Sequence, residues 1–300
     1  MEPRGQVRRT VLAVAALTAG LAYLTWRVGW TLGTTPWLAV PLVAAEAVAF
    51  VRFALGVTCT LPDPDRGTTG GRDPGPIGTD VVAPSVELLV PASTAGPDGL
   101  ARTLAVAVGT GAVAIRVLDT THRGLMAREA ARFGARYEVL DADGADGPAA
   151  LVELARRSTR ADVLGWIDAG DVPVPGFLDL AHRLTDADGP RVAVVQSSVD
   201  LLNRDSLLHL VPDRDERALE NDVAGPSLGR DGAAPWEGSG SLARVDALDA
   251  VGGLPVGGAP THRAAMRLAR DGWDVVWSRP PTVRTVAPDT LDDYLHQAGE

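Results

Sequence analysis

Beyond residue 85 the chain alternates short apolar runs with segments whose apolar positions recur every three or four residues. Val86–Val90, Ala112–Leu118, Tyr137–Leu140, Asp162–Ile167 and Val192–Val195 read as strands, because apolar runs of this length suit strands covered on both faces. Between them Asp98–Val108, Leu125–Phe133, Ala149–Arg157 and Pro175–Leu184 read as helices, with Leu100, Leu104 and Ala107 on one face of the first. This order predicts an α/β domain on a mainly parallel, Rossmann-like sheet covered by helices. Ligands of such sheets lie beyond the carboxyl ends of the strands. Asp119 and Asp168 both fall at such ends.

The first sixty residues are patterned differently. Val11–Trp26 is almost wholly apolar, and Pro36–Val57 is apolar but for Glu46 and Arg52. Since about 20 helical residues cross the hydrocarbon of a bilayer, the pattern predicts a hairpin of two transmembrane helices, about 11–30 and 36–57. Glu46 and Arg52 are too far apart to face each other on one helix, so each reaches the lipid interface or meets a neighbouring helix. Arg4, Arg8 and Arg9 precede the first run, which puts the N-terminus in the cytosol and returns the chain there after two crossings. Arg8-Arg9-Thr10-Val11-Leu12 also weakly resembles a twin-arginine export signal. No small-x-small cleavage site follows it, and a cleaved signal needs no second apolar run. The predicted organisation is a membrane segment (1–58), a flexible Pro/Gly/Asp-rich linker (59–84) and one domain (85–300). The expected location is the cell membrane, inner or plasma, two-pass, with the C-terminal domain cytoplasmic.

Charge and cysteine content narrow the partners. The formal net charge of -10 argues against nucleic acid, whose phosphates need a basic face. The chain contains no Lys, so Arg supplies every basic side chain. A single cysteine, Cys59, excludes an internal disulfide and a cysteine-rich zinc site.

The most specific stretch is Trp236-Glu237-Gly238-Ser239-Gly240-Ser241-Leu242-Ala243-Arg244, followed by Ala247-Leu248 and Gly252-Gly253. It resembles the acceptor-side signature of the processive family 2 glycosyltransferases, the cellulose synthase-like group, which have a GT-A fold. The resemblance runs through most of the chain. Pro84-Ser85-Val86-Glu87-Leu88-Leu89-Val90-Pro91 resembles the first GT-A strand, although Ala92–Gly96 lacks the Asn and the acid that the family places after it. Val117-Leu118-Asp119-Thr120-Thr121 is similar to the family's Leu-Asp-Asp-Gly and implies that Asp119 hydrogen-bonds uridine. Asp119 alone reads equally as the cap of a turn. The loop where the family has a Lys beside the diphosphate is acidic here, Asp141–Pro148, and its Asp141-Ala142-Asp143 reads as a solvated turn.

Ile167-Asp168-Ala169-Gly170-Asp171-Val172-Pro173 resembles the family's Asp-Ala-Asp metal motif, with Gly170 in place of the second acid and Asp171 one residue on. The resemblance implies nucleotide contact at Asp168 and magnesium or manganese at Asp168 and Asp171. The other reading is two acids at a strand-to-loop turn. Val194-Val195-Gln196 and Asn203-Arg204-Asp205 resemble segments that frame the acceptor channel. The signature implies acceptor contact at Trp236, Gly238, Ser239 and Gly240, with Trp236 stacking on a sugar ring or serving as a packing anchor. Where the family has Thr-Glu-Asp, with Asp as general base, this chain has Thr261-His262-Arg263. A guanidinium cannot accept a proton, and His262 points about 100° away on a helix. The plainer reading is a helix start with Thr261 as its N-cap. Asp289–Gln297 resembles the lead-in to the family's Gln-x-x-Arg-Trp, which the sequence to Glu300 does not contain.

The resemblance therefore implies a membrane-anchored transferase of a sugar from a nucleotide-sugar, a UDP-sugar, to a glycan acceptor, with activity weak or lost. The alternative is a non-catalytic relative that binds beside an active polysaccharide synthase in the membrane. A working inverting enzyme would use Asp119, Asp168 and Asp171 with an unusual base.

Overall fold

The computed structural model describes residues 3–31, 36–60, 84–93, 95–141, 147–184, 191–203, 221 and 224–286. Most of the predicted linker, Ala142–Asp146, Arg204-Asp205 and the Asp289–Gln297 segment lie outside them. The chain divides into two compact units, 1–68 and 69–300.

The first unit holds helices α1 (Pro3–Thr31) and α2 (Pro36–Thr60). Thr18 and Thr25 donate their hydroxyls to the carbonyls of Val14 and Leu21, each at 2.8 Å, which hides these polar groups along α1. The helices meet where Gly20 admits the Phe50 ring, because a Cβ at Gly20 would lie 2.3 Å from it. Glu46 also meets its neighbour: Oε2 accepts Arg27 Nε at 3.2 Å and Oε1 accepts the Tyr23 hydroxyl at 3.3 Å. Among the described residues, one helix, Thr10–Trp30, meets the length and hydropathy expected of a membrane span. The second span of the expected hairpin is helical but does not meet that test among these residues.

The second unit is one eight-stranded sheet in the order β3-β2-β1-β4-β7-β6-β8-β5. The strands are β1 (Val86–Pro91), β2 (Ala114–Asp119), β3 (Arg136–Val139), β4 (Val163–Trp166), β5 (Val172–Pro173), β6 (Val192–Leu201), β7 (Ser241–Arg244) and β8 (Asp274–Thr285). Helices α3 (Pro97–Ala107), α4 (Gly124–Arg132), α5 (Pro148–Arg156), α6 (Gly225–Arg230), α7 (Val245–Ala250) and α8 (Pro260–Arg270) connect them, with a 3-10 helix at Leu178–Leu184. β1 is buried along its whole length. Leu88 and Val90 face one apolar layer with Leu100, Leu104 and Met126, while Leu89 faces another with Leu151, Trp166 and Trp236. Side chains alternate across a strand, so a sheet covered on both faces needs this unbroken apolar run.

The sheet is mixed: four of its seven neighbour pairings are parallel and three are antiparallel. β3, β2, β1 and β4 are parallel neighbours, and so are β6 and β8. β7 runs antiparallel to both β4 and β6, pairing Ser241 with Trp166 and with Gln196. It enters from the carboxyl ends of its neighbours, which brings the Trp236–Gly240 loop to that edge. The start of α8 also differs from expectation: Pro260 is its first residue and Ala259, at φ 51°, holds the cap position, so Thr261 lies inside the helix and is buried.

Buried charges are paired. Arg116 on β2 lies 2.7 Å from Glu138 and 3.5 Å from Glu87, and donates to Ala155 O at 3.1 Å. Glu153 on α5 accepts Arg156, Arg157 and the Leu254 N–H, which fastens the Gly252-Gly253 turn to α5. Burial pushes the Glu153 carboxyl up, but these donors outweigh it and hold the carboxyl below its ordinary 4.5. A depressed carboxyl stabilises the fold above its unfolded value and loses that contribution as pH falls through the folded one. Glu153→Gln should therefore cost about 2 kcal/mol near neutral pH and flatten the acid limb of the stability curve. Urea unfolding of both chains from pH 7 to pH 3 checks this.

Candidate functional site

The sheet reverses its winding between β1 and β4: the chain moves from β1 to β2 and β3 on one side, then returns to β4 on the other. The crevice beyond the carboxyl ends at such a point is where open α/β sheets take ligands. The loops after β1, β2 and β4 border it, and the loop before β7 closes it.

Asp168 and Asp171 occupy the β4 loop. Ile167 and Ala169 donate to Leu89 O and Pro91 O, so the β4 extension stays bonded to β1 as far as Ala169. Gly170 then turns at φ 113°, a conformation L side chains rarely adopt, and Asp171 N returns to Asp168 O at 3.0 Å. Thr103 of α3 clamps this turn, accepting Gly170 N at 2.9 Å and donating to Asp171 O at 2.6 Å. Ser239 joins the two acids: its hydroxyl accepts Asp168 N at 3.1 Å and donates to Asp171 Oδ2 at 2.6 Å. Behind it the fully buried Gln196 donates to Ser239 O at 2.9 Å and accepts Glu237 N at 3.0 Å.

Burial raises the Asp168 carboxyl to about 6, the Trp166 indole N–H opposes this at 2.8 Å from Oδ1, and the Asp171 charge adds to it. Asp168 has no ion-pair partner among the described residues, and its Oδ2 accepts no hydrogen bond among them. Two hard carboxylates fit a divalent cation that fills its other positions with water and phosphate. The described residues contain no group of three or more His, Cys, Asp or Glu that could hold a metal ion.

Asp119, at the end of β2, is 1% exposed. Oδ1 accepts its own turn, Thr120 N, at 2.9 Å. Oδ2 accepts Arg123 Nε at 2.7 Å and the Tyr137 hydroxyl at 2.8 Å. Burial, opposed by the Arg123 N–H and assisted by the Asp119 carboxylate, pushes the Tyr137 phenol up.

The acceptor signature splits. Ser239 reaches the acids, whereas Trp236 is 1% exposed with its indole N–H on Ser241 Oγ at 3.0 Å, so in this structure it packs in the core. Gly238, at φ 104°, lies flat against Trp166; a Cβ there would sit 3.0 Å from the ring. Gly240 N donates to Trp166 O at 2.8 Å. His262 and Arg263 are exposed on the first turn of α8, and Arg263 Nη1 donates to Val256 O at 3.0 Å. No described hydrogen bond or ion pair joins either to the Asp168–Asp171 pair. Reading the sequence missed Arg123, Tyr137 and Thr103. Only Thr103 carried a signal, as the polar residue in the apolar stripe Leu100, Leu104 and Ala107.

Residues 84–299 match the family described as glycosyltransferase-like family 2. The chain belongs to this family. No curated protein matches this glycosyltransferase-like chain. Among solved structures it is similar to a mannosyltransferase from Pyrobaculum calidifontis in complex with GDP-Man and Mn2+, at 15% identity and TM-score 0.55, over 95% of this chain and 69% of that one. It is also similar to glucosyl-3-phosphoglycerate synthase from Mycobacterium tuberculosis, solved with Mn2+, UDP and glucosyl-3-phosphoglycerate, at 18% identity and TM-score 0.46, over 70% and 75% of the two chains. At such identities the first likeness shows the fold, a GT-A-like mixed α/β sheet.

A raised carboxyl has a consequence for stability. Asp168 binds its proton more tightly folded than unfolded, so folding loses free energy as pH rises from 3.8 through about 6 and stays lower above it. Asp168→Asn removes the charge and keeps an acceptor for Trp166. It should stabilise the chain by about 2 kcal/mol at pH 7.5 and by little at pH 4. Denaturant unfolding at both pH values checks this; a loss of stability at pH 7.5 would make Asp168 a structural turn residue.

Proposed function

We propose that this family 2 glycosyltransferase-like protein is anchored in the cell membrane by a two-pass helical hairpin and presents its GT-A domain to the cytosol. There it holds a nucleotide-sugar through a divalent cation, magnesium or manganese. The observation that carries the reading is the Asp168–Asp171 pair, joined through Ser239 at the carboxyl edge of β4. Asp168 and Asp171 would hold the cation, which neutralises a departing diphosphate. Thr103 fixes the turn, Ser239 orients Asp171, and Gln196 fixes the loop that carries Ser239. Transfer to a glycan acceptor is weak or lost in this reading, because Arg263 stands where the resemblance expects a base and a guanidinium takes no proton. That same position favours the second reading, a binding subunit beside an active synthase in the membrane.

The test is titration of Mn2+ with nucleoside diphosphates into the full chain in detergent micelles. Asp168→Ala should weaken Mn2+-dependent binding at least about tenfold. Undiminished binding in that variant would remove the pair from the site.

The hairpin reading is supported by the apolar helix Thr10–Trp30, by the apolar sequence Pro36–Val57 and by the Arg27–Glu46 pair, which keeps each charge partnered within the helix pair. Cys59, the sole cysteine, is the penultimate residue of α2. A membrane-impermeant maleimide should leave Cys59 unlabelled in intact spheroplasts and label it after lysis. Labelling from outside would overturn the two-pass topology.

A further inference from the structure

The Asp119 end of the crevice has a feature that the metal-holding end lacks: three oxygen acceptors gathered around one guanidinium. Arg123 Nε donates to Asp119 Oδ2 at 2.7 Å, Nη1 donates to Ala95 O at 2.8 Å, and Nη2 donates to Ala92 O. Asp119 lies at the end of β2, Ala92 and Ala95 lie in the loop after β1, and Arg123 immediately precedes α4. The cradle is thus built from two adjacent strand ends, with Arg123 as its occupant. The Arg123 side chain is 32% exposed while the Asp119 side chain beneath it is 1% exposed, so the guanidinium covers the carboxylate.

The cradle is placed to serve the same ligand as Asp168 and Asp171. β2, β1 and β4 are consecutive in the sheet, so the two acidic ends are separated by two strand spacings, about 10 Å. In the nucleotide-sugar reading, a nucleoside diphosphate whose phosphates met a cation at Asp168 and Asp171 would span this distance with its base at Asp119.

The donor pattern selects the base. A guanidinium is a planar fork of N–H donors with no acceptor. Guanine presents the same fork along its N1–H and 2-amino edge, which is chemically a cyclic acylguanidine. Uracil presents one imide N–H flanked by two carbonyl oxygens, and those oxygens would face the carbonyls of Ala92 and Ala95. Adenine and cytosine each set a ring acceptor beside their amino group. Among the four, guanine alone offers adjacent donors to a carboxylate and neighbouring carbonyls.

The resemblance already implies a nucleobase at Asp119; we propose that Ala92 O and Ala95 O complete that contact, that Arg123 fills it in this structure as an internal guanidinium, and that the base it selects is guanine. This rests on the nucleotide-sugar reading and makes the donor a guanosine-diphosphate sugar rather than the UDP-sugar that the resemblance implies. Arg123 must leave the cradle for the base to enter, so it weakens binding without touching the metal-holding end.

The experiment compares GDP, UDP and pyrophosphate, each with Mn2+, on the full chain in micelles by calorimetric titration. The wild-type chain should bind GDP more tightly than UDP by about tenfold or more, the discrimination expected of a two-donor contact. Arg123→Met keeps the apolar stem and removes the fork. It should tighten GDP binding and leave pyrophosphate unchanged, and Asp119→Asn on that background should abolish the preference for GDP. The wild-type comparison stands even if a variant folds poorly. Equal or tighter binding of UDP overturns the proposal, as does GDP affinity indifferent to Arg123. Pyrophosphate binding without a base preference overturns the base subsite alone. Failure of GDP, UDP and pyrophosphate together overturns the nucleotide reading with it.

Discussion

The candidate site depends on the direction of one short strand. β7 runs antiparallel between β4 and β6, with Ser241 beside Trp166 and Gln196. Had it run parallel, the Trp236–Gly240 loop would lie at the opposite edge of the sheet. Entering from the carboxyl ends instead, it is held by Gly240 N on Trp166 O and by Ser197 N on Gly240 O. Those backbone bonds place the Ser239 hydroxyl between Asp168 and Asp171, residues about seventy positions away in sequence. Trp236 is buried for the same reason, since the turn that delivers Ser239 drives the preceding indole into the layer of Trp166 and Leu248.

Electrostatics separate this site from the rest of the domain. Arg116, Glu153 and Asp119 are buried charges with opposite partners, arrangements that satisfy the fold. Asp168 has an indole N–H and a neighbouring acid instead. A carboxyl raised by burial and by a like charge destabilises the folded chain near neutral pH, and such groups cluster where a ligand supplies the missing charge. A divalent cation is the simplest such ligand for two carboxylates. At the other end of the row, Arg123 supplies the missing charge from within the chain.

In the first unit, Glu46 meets Arg27 and Tyr23 across the helix pair rather than standing alone in an apolar run. A charge with a partner costs far less in an apolar medium than one without. The Gly20–Phe50 contact adds the close approach that holds the helices in register.

The strands β1 to β4, β6 and their helices were legible because burial on both faces writes itself as apolar runs and stripes: Val86–Pro91 and the Leu100, Leu104, Ala107 face required no partner to be recognised. β5 was not legible, since two residues carry no period; β7 lay within the Trp236–Arg244 signature, which read as a loop; and Pro280-Pro281 disguise β8. The acids of the site were visible as Asp at strand ends, but their partners were not. Nothing in Thr120–Arg123 indicates that a guanidinium will lie on Asp119, or that Tyr137 will share it. The sequence by itself determined the apolar faces of β1 to β4 and their helices and where those strands end, because burial along a strand or helix is a local, periodic property. Only the tertiary structure decided the direction of β7, the burial of Trp236, the Ser239 bridge and the Arg123 cradle, because those depend on which distant segments the sheet brings to one edge.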